Sequence, residues 1–458
     1  MMANAKPRIA IIGCGLSGSI LALKLSQVYD VEVFERGSKQ GEAPSDIQYS
    51  GHPVGITPNV YYGKGGTTEL WAGGMVSMTS AEWSHVWPED LSATLPSYYE
   101  QVIEILYGES GVEAWRSTQT GAVSGDVMLD RIYYADPYRF SSNEALESLK
   151  IHYEVKVTSV ADFDVGATVE YENESGDIVR SQFDAVIVAS GGLNSPALLL
   201  RSDLGGAQVG RNFTDHPMGF VAKVSDCKNT ELYAALRNLD DPKAATNQML
   251  KVHDEETGLT SAFYLRAAAT GSLKSDPYRR SFKVLAQTGK YRRIAAAISQ
   301  FHDFDFMFQA VEDKFRIRTK SNYAYVLVVN EQSTDPESTV SLDGNDGVQV
   351  NWAFDGNVEK SIKNNLLKLK SELGCDLHVV PDQFSERLYS AAHLSGTCRI
   401  SDTIENGVVD SNLRVHGAKN IYVCDGSVLP STGASNTGLT IASLALRLND
   451  YLRSDFLG

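Results

Sequence analysis

The apolar positions of this chain open with an unbroken run, Ile9–Ile12, that suits a strand buried on both faces. Ser19–Val28 follows as a helix with Ile20, Leu21, Leu23 and Leu25 on its apolar side. Val31–Glu35 (VEVFE) reads as a second strand that ends in an acid. The pattern returns late in the chain. Asp184–Ser190 (DAVIVAS) is another buried strand, closed by Gly191 and Gly192. Ser195-Pro196 then starts a helix through ALLLRS, with proline in its first turn. A second strand, glycine and helix unit so far along predicts that the chain returns to its first domain.

Other stretches have a different texture. Pro96 can open a helix with Tyr99, Val102, Ile103 and Leu106 as its apolar stripe and Gly108 as its end. The uneven segment Glu109–Asp136 supports no assignment. From Ile151 short strands alternate, with a Ser175-Gly176 turn as in a hairpin. Ala324–Val329 and Thr339–Leu342 read as strands. Lys360–Leu373 reads as a helix with Ile362, Leu366, Leu367 and Leu373 apolar. Near the end, Ile421–Pro430 (IYVCDGSVLP) is a strand running into an acid and a glycine, and a last helix carries Ile441, Ala442, Leu444, Ala445 and Leu448. The expected fold is α/β. Residues 1–80, 145–225 and 386–458 form a discontinuous Rossmann-like dinucleotide-binding domain. Residues 81–144 and 226–385 form a second, discontinuous α+β substrate-binding domain built on a β-sheet.

The glycines after the first strand change the picture from fold to chemistry. Gly13, Gly15 and Gly18 have the GxGxxG spacing, in which the first permits a tight turn, the second lets a pyrophosphate approach, and the third lets helix and strand pack closely. The helix N-terminus offers N–H groups to phosphates. Glu35 can accept from both hydroxyls of an adenosine ribose. Tyr62–Ser77 is dense in glycine, which suits backbone against a flat cofactor ring, the plain alternative being an ordinary loop. Asp425 is placed to bond a cofactor chain, and the helix after Asn436 points its N-terminus at the same site.

Composition narrows the partners. A chain of 458 residues suggests two or three domains, and its hydrophobic content of 43% and charge of 21% are ordinary for a globular protein. A net charge of −16 argues against nucleic acid. Five scattered cysteines, without CxxC or metal-ligand spacing, suggest reduced thiols and no metal site. No signal peptide or membrane span is read, so a cytoplasmic protein is expected. One stretch runs against the acidic balance: Lys274, Arg279, Arg280, Lys283, Lys290, Arg292 and Arg293, followed by Phe301, Phe304 and Phe308 at helical spacing. Its bland reading is a solvated face beside a core stripe. The sharper one is a docking site for a membrane surface or an electron-accepting partner.

The order of motifs resembles the glucose–methanol–choline (GMC) oxidoreductases, which depend on FAD. The resemblance is carried by GCGLSG with Glu35, GGTTELWAGG, GGLNSPALLLRS with VGRNFTDHP, and HLSGTC through DGSVLPSTGASNTGLT. It implies that Gly13, Gly15 and Gly18 hold the FAD pyrophosphate and Glu35 the adenosine ribose. Gly66, Thr67, Trp71, Gly73 and Gly74 would border the flavin. Val157 would bond the adenine through its backbone. Asp425 and Gly426 would meet the ribityl and pyrophosphate part, and Asn436, Thr437 and Thr440 would close over the ring. Leu16, Ser17, Arg36, Ser190 and Gly191 complete the candidate cofactor set. In the family, the residues at His393 and Asn436 face the substrate hydroxyl.

The resemblance therefore implies oxidation of an alcohol by hydride transfer to flavin. His393 would be the base, with a pKa expected near working pH, and Asn436 would orient the hydroxyl. Some members tether FAD to a histidine where this chain has Leu70, so non-covalent FAD is expected. His216 reads as structural. Family frequency favours a sugar or polyol substrate; a dehydrogenase is slightly favoured over an oxidase, and the acceptor is left open among oxygen, a quinone and a redox protein. Rival readings are a nicotinamide-dependent dehydrogenase, a non-catalytic flavoprotein or redox-binding module, and a lyase on the same scaffold.

Overall fold

The apolar run at residues 9–12 becomes the middle strand of a five-stranded parallel sheet in the computed structural model. The structure describes residues 6–44, 46–51, 60–71, 73–83, 86–118, 121–133, 138–173, 175–237, 246–266, 323–344, 347–379 and 388–457. The sheet runs Ile421–Val423, Ala185–Val188, Arg8–Ile12, Asp30–Phe34 and Lys150–His152, with Ile9 opposite Ala185 on one side and Val31 on the other. Strands from the start, middle and end of the chain thus share one sheet, as the repeated pattern predicts. Ile9, Ile11, Val186 and Ile187 are fully buried, which is what unbroken apolar strands need. The helix Leu16–Leu25 packs against the last helix, Gly438–Leu457, over this sheet. A three-stranded antiparallel sheet, Lys156–Asp162, Ala167–Glu172 and Ile178–Phe183, lies beside it, and Gly176 turns its second hairpin at φ 80°.

The second body of structure is an eight-stranded antiparallel sheet. Its path runs Asp376–Val379, Pro217–Ser225, Tyr323–Asn330, Leu259–Arg266, Thr246–Asp254, Val127–Tyr133 and Gly121–Ser124, and Tyr389–Ser390 pairs with its second strand. The helix Gly356–Leu373 covers one face through Val358, Ile362, Leu366, Leu369 and Leu373, with the Asp355 side chain capping its start and Gly374 turning its end at φ 55°. Leu367, expected in the apolar stripe, is 64% exposed, because the stripe follows the 3.6-residue period around it.

Several boundaries move. Pro217–Ser225 sits inside the second sheet, so the crossing between domains lies near residue 217 rather than 225. Ile47–Gly51 pairs in parallel with Val348–Trp352, which joins the two expected domains in a small third sheet. The helix expected to end at Gly108 runs Tyr99–Arg116, with Gly108 kinking it at φ 72°. The unassigned segment after it supplies two strands of the second sheet. The helix expected from Pro196 begins at Gly191, which leaves the proline inside it. Proline cannot donate to the Gly192 carbonyl, and the Thr397 hydroxyl donates there instead at 2.7 Å. The basic stretch and the three phenylalanines after it lie outside the described residues.

One buried ion cluster ties the antiparallel sheet to the short helix Ser80–Trp83 and to the loop before the last helix. Lys251, 2% exposed, donates to Glu82 Oε2 at 2.8 Å, the Ser77 carbonyl at 3.0 Å and Ser435 Oγ at 2.5 Å. Its cation holds the buried Glu82 carboxyl below the usual range against the opposing cost of burial. Asp130 lies 3.2 Å from the same ammonium without hydrogen-bond geometry, and burial raises its pKa, so the formal pair is Lys251 with Glu82. Lys251→Met should leave Glu82 buried and uncompensated, at a cost of about 3–5 kcal/mol. Calorimetric melting should show a lowered midpoint, and an unchanged midpoint would remove the cluster from the stability of the fold.

Candidate active site

A cleft of about 580 Å³ opens between the ends of the parallel strands and one face of the antiparallel sheet. This is where open α/β sheets bind ligands. The three glycines of the opening turn divide between two roles. Gly13 has φ 104°, and a Cβ there would sit 2.5 Å from the Ala189 carbonyl oxygen. A Cβ on Gly18 would sit 2.1 Å from the Gly13 carbonyl oxygen. A Cβ on Gly15 would meet nothing within 4 Å. Gly13 and Gly18 thus serve packing, and Gly15 keeps the cleft open. The helix after it has no side-chain cap at its N-terminus, which leaves its first N–H groups for an anion.

Glu35 is buried at the end of the second strand. Its Oε2 accepts from Cys14 N at 2.8 Å, and its Oε1 accepts from Gly37 N at 2.8 Å and Gly63 N at 2.9 Å. A carboxylate has about four acceptor sites, and backbone donors already occupy most of them here. Arg36 lines the cleft with its guanidinium held by Asp46 at 2.7 Å. Val157 lines the same end.

The glycine loop folds against the opening turn. Gly65 N donates to the Cys14 carbonyl at 2.8 Å, and residues 66–69 form a short 3-10 turn. Arg139 donates to the carbonyls of Thr68 and Trp71, and the Tyr107 hydroxyl to that of Gly73. Gly66, Thr67, Leu70, Trp71, Gly73 and Gly74 all line the cleft. Trp71 Nε1 is buried and unpartnered among the described residues. An orphaned donor in the wall, an uncapped helix N-terminus and the space above Gly15 together fit a dinucleotide carrying an acceptor-rich ring.

Asp425 departs from its expected role. Its Oδ2 accepts from Gly191 N at 2.8 Å and Ser195 Oγ at 2.5 Å, and its Oδ1 from Ser427 N at 2.8 Å and Ser427 Oγ at 2.6 Å. Protein donors fill its acceptor sites, so it fixes the wall rather than reaching for a cofactor chain. Ser17 also stitches the wall, donating to the Cys424 carbonyl. Leu16, Ser190, Gly191, Gly426 and Thr437 line the cleft. Gly18 and Thr440 lie behind the lining, Gly18 because it packs on Gly13.

At the other end, His393 and Asn436 line the cleft together. The Asn436 amide has no hydrogen-bond partner among the described residues. His393 Nδ1 lies 2.7 Å from Nδ1 of His216, and His216 Nε2 lies 2.7 Å from the Gly433 carbonyl oxygen. Buried Asp215 fixes both residues, accepting from His216 N at 2.6 Å and His393 N at 2.9 Å, while Ser390 Oγ donates to its other oxygen. Ala392 takes a positive φ of 65° to set His393 in place, a strained conformation for a residue with a Cβ. Burial pushes the imidazole of His393 down to about 3, helped by His216, and that of His216 down to about 4. The expected titration near working pH therefore does not hold, and His393 is neutral at rest.

Sequence reasoning missed His216, since no local spacing reports a contact across 177 residues. It also missed the cleft's roof, where Met218, Tyr264, Leu327 and Val329 face the opening from three strands, with Arg266 at the end of one. Tyr323–Asn330 is an almost unbroken apolar run in the sequence, so its pattern does not disclose which face meets the cleft.

Among the described residues no helix is long and apolar enough to cross a membrane, and no cluster of His, Cys, Asp and Glu could hold a metal. Comparison with known proteins agrees with the motif order. Residues 142–218 and 357–445 match the N-terminal and C-terminal signatures of the GMC oxidoreductases. Paromamine 6'-oxidase of Streptomyces fradiae is 49% identical over 67 residues, 15% of this chain and 12% of that protein. The long-chain-alcohol oxidase FAO3 of Arabidopsis thaliana is 22% identical over 287 residues, 58% of this chain and 36% of that protein. These matches span well under two thirds of either relative. The crystal structure of pyridoxine 4-oxidase from Mesorbium loti shares the fold with a TM-score of 0.58 at 15% identity, covering 98% of this chain and 99% of that one. The chain belongs to the GMC oxidoreductase family, for which FAD is the typical cofactor.

Proposed function

We propose that this protein oxidises an alcohol at the cleft, with FAD bound non-covalently along it. The observation that carries the reading is a cleft-lining histidine, His393, that shares one end of the cleft with Asn436, whose amide has no hydrogen-bond partner among the described residues. Gly15 and the first helix N-terminus would hold the pyrophosphate, Glu35 the ribose, and the loop from Gly66 to Gly74 the flavin edge. Exposed Leu70, 46% accessible, offers no nucleophile for a tether. Bound FAD supplies the two-electron acceptor for the carbinol carbon. His393 takes the hydroxyl proton as the carbon is oxidised. Asn436 donates one hydrogen bond and accepts another, which holds the substrate oxygen against the imidazole.

The roof bears on the substrate. Met218, Leu327 and Val329 present apolar surface, and Tyr264 already donates its hydroxyl to the Met249 sulfur at 3.2 Å. A sugar needs several polar partners, because unpaired hydroxyls in a closed site are costly. The roof favours an alcohol with an apolar body, and this replaces the sugar or polyol expectation.

Anaerobic bleaching of the flavin against simple and long-chain alcohols, sterols, polyols and sugars tests the reading. Apolar alcohols should bleach it. Bleaching by sugars alone would overturn the substrate class, and none by any alcohol would overturn the activity. Recovery on readmitting air would separate an oxidase, which recovers fast, from a dehydrogenase with another acceptor. His393→Ala should slow flavin reduction by roughly 10²–10⁴-fold with FAD retained. A rate near that of the unaltered protein would take His393 out of the chemistry.

A further inference from the structure

The two histidines meet edge to face, with ring centroids 4.9 Å apart and planes at 84°. Their Nδ1 atoms are 2.7 Å apart, too close for two bare nitrogens or for two N–H groups. One proton lies between them, and the surroundings decide whose it is. The Gly433 carbonyl can only accept, so His216 Nε2, 2.7 Å away, carries a hydrogen. A neutral imidazole has one N–H, so Nδ1 of His216 is bare. The shared proton therefore belongs to Nδ1 of His393. Its Nε2 is then the bare nitrogen, and it has no hydrogen-bond partner among the described residues.

We propose that His216 is a positioning residue that holds His393 in the Nδ1–H tautomer, so that a bare Nε2 is presented to the substrate hydroxyl. The importance of this for turnover rests on His393 acting as the base. The tautomer itself does not.

The surroundings keep the arrangement in one state. Burial disfavours a charge on either ring, and two neutral rings are what the single shared proton requires. Asp215 fixes the backbone of both residues. The Gly433 carbonyl is itself placed by its neighbours, since Ser431 Oγ accepts from Gly433 N at 3.0 Å and Glu82 from Ala434 N at 2.6 Å. The role follows a general rule, in which the hydrogen bond at one imidazole nitrogen sets what the other can do.

The test uses the FAD-loaded protein with ¹⁵N-labelled histidine. Long-range ¹H–¹⁵N spectra distinguish a protonated from a bare ring nitrogen, and the His393 signals are those lost in His393→Gln. The unaltered protein should show His393 protonated at Nδ1. His216→Phe keeps a ring but no acceptor, and should release the proton to Nε2 in part or wholly. His216→Asn places an amide oxygen where Nδ1 stood, and should keep the Nδ1–H form. Anaerobic flavin reduction should fall roughly 10–100-fold in His216→Phe, with little change in the half-saturating substrate concentration, and recover to within about threefold in His216→Asn.

A His393 protonated at Nε2 in the unaltered protein would overturn the proposal, and so would an unchanged spectrum in His216→Phe. Equal rate loss in both variants with the tautomer unmoved would make His216 merely structural. Should His216→Phe fail to fold, the unaltered protein and His216→Asn still decide the tautomer. If His393→Ala kept its rate while the spectra came out as expected, the base assignment would fall and the tautomer lock would stand.

Discussion

A carboxylate buried away from water must be met by donors inside the protein, and three such carboxylates form the joints of this cleft. Glu35 gathers the N–H groups of Cys14, Gly37 and Gly63. Asp215 gathers His216, His393 and Ser390. Asp425 gathers Gly191, Ser195 and Ser427. Each binds segments distant in sequence, and each collects backbone N–H groups. Burial raises the pKa of all three, while the converging donors oppose it. Rigid walls around an open space follow, which is the preorganisation a cofactor site needs.

The same logic separates what the sequence discloses from what only the fold brings about. The opening turn is legible because its cause is local: three glycines at fixed spacing between an apolar strand and a helix. The return of the chain at Asp184–Ser190 is legible because an unbroken apolar run needs cover on both faces. His393 and Asn436 are legible through motif order, and both line the cleft. What could not be read are consequences of distance. His216 sits beside a return between domains, and only the fold brings its ring to His393. Asp425 sits where a cofactor contact is expected, and only its four donors show that it serves the wall. Pro196 resembles a helix start because the rescue of the Gly192 carbonyl comes from Thr397, 205 residues away.

The strained and buried features gather at one end of the cleft. Ala392 holds a left-handed conformation, His393 and His216 are kept neutral, and Asp215 stands between their backbones. A core built only for stability would place apolar residues there. That concentration of cost, beside an amide with no partner among the described residues, is what the proposed reaction at this end rests on.

The central claim is that the cleft holds FAD without a covalent bond. The most direct measurement is the flavin content of the purified protein, followed by acid precipitation and analysis of the two fractions. The account predicts close to one FAD per chain, released into the supernatant. Protein that carries no flavin and takes none up would contradict the site, and colour retained in the pellet would contradict the mode of binding.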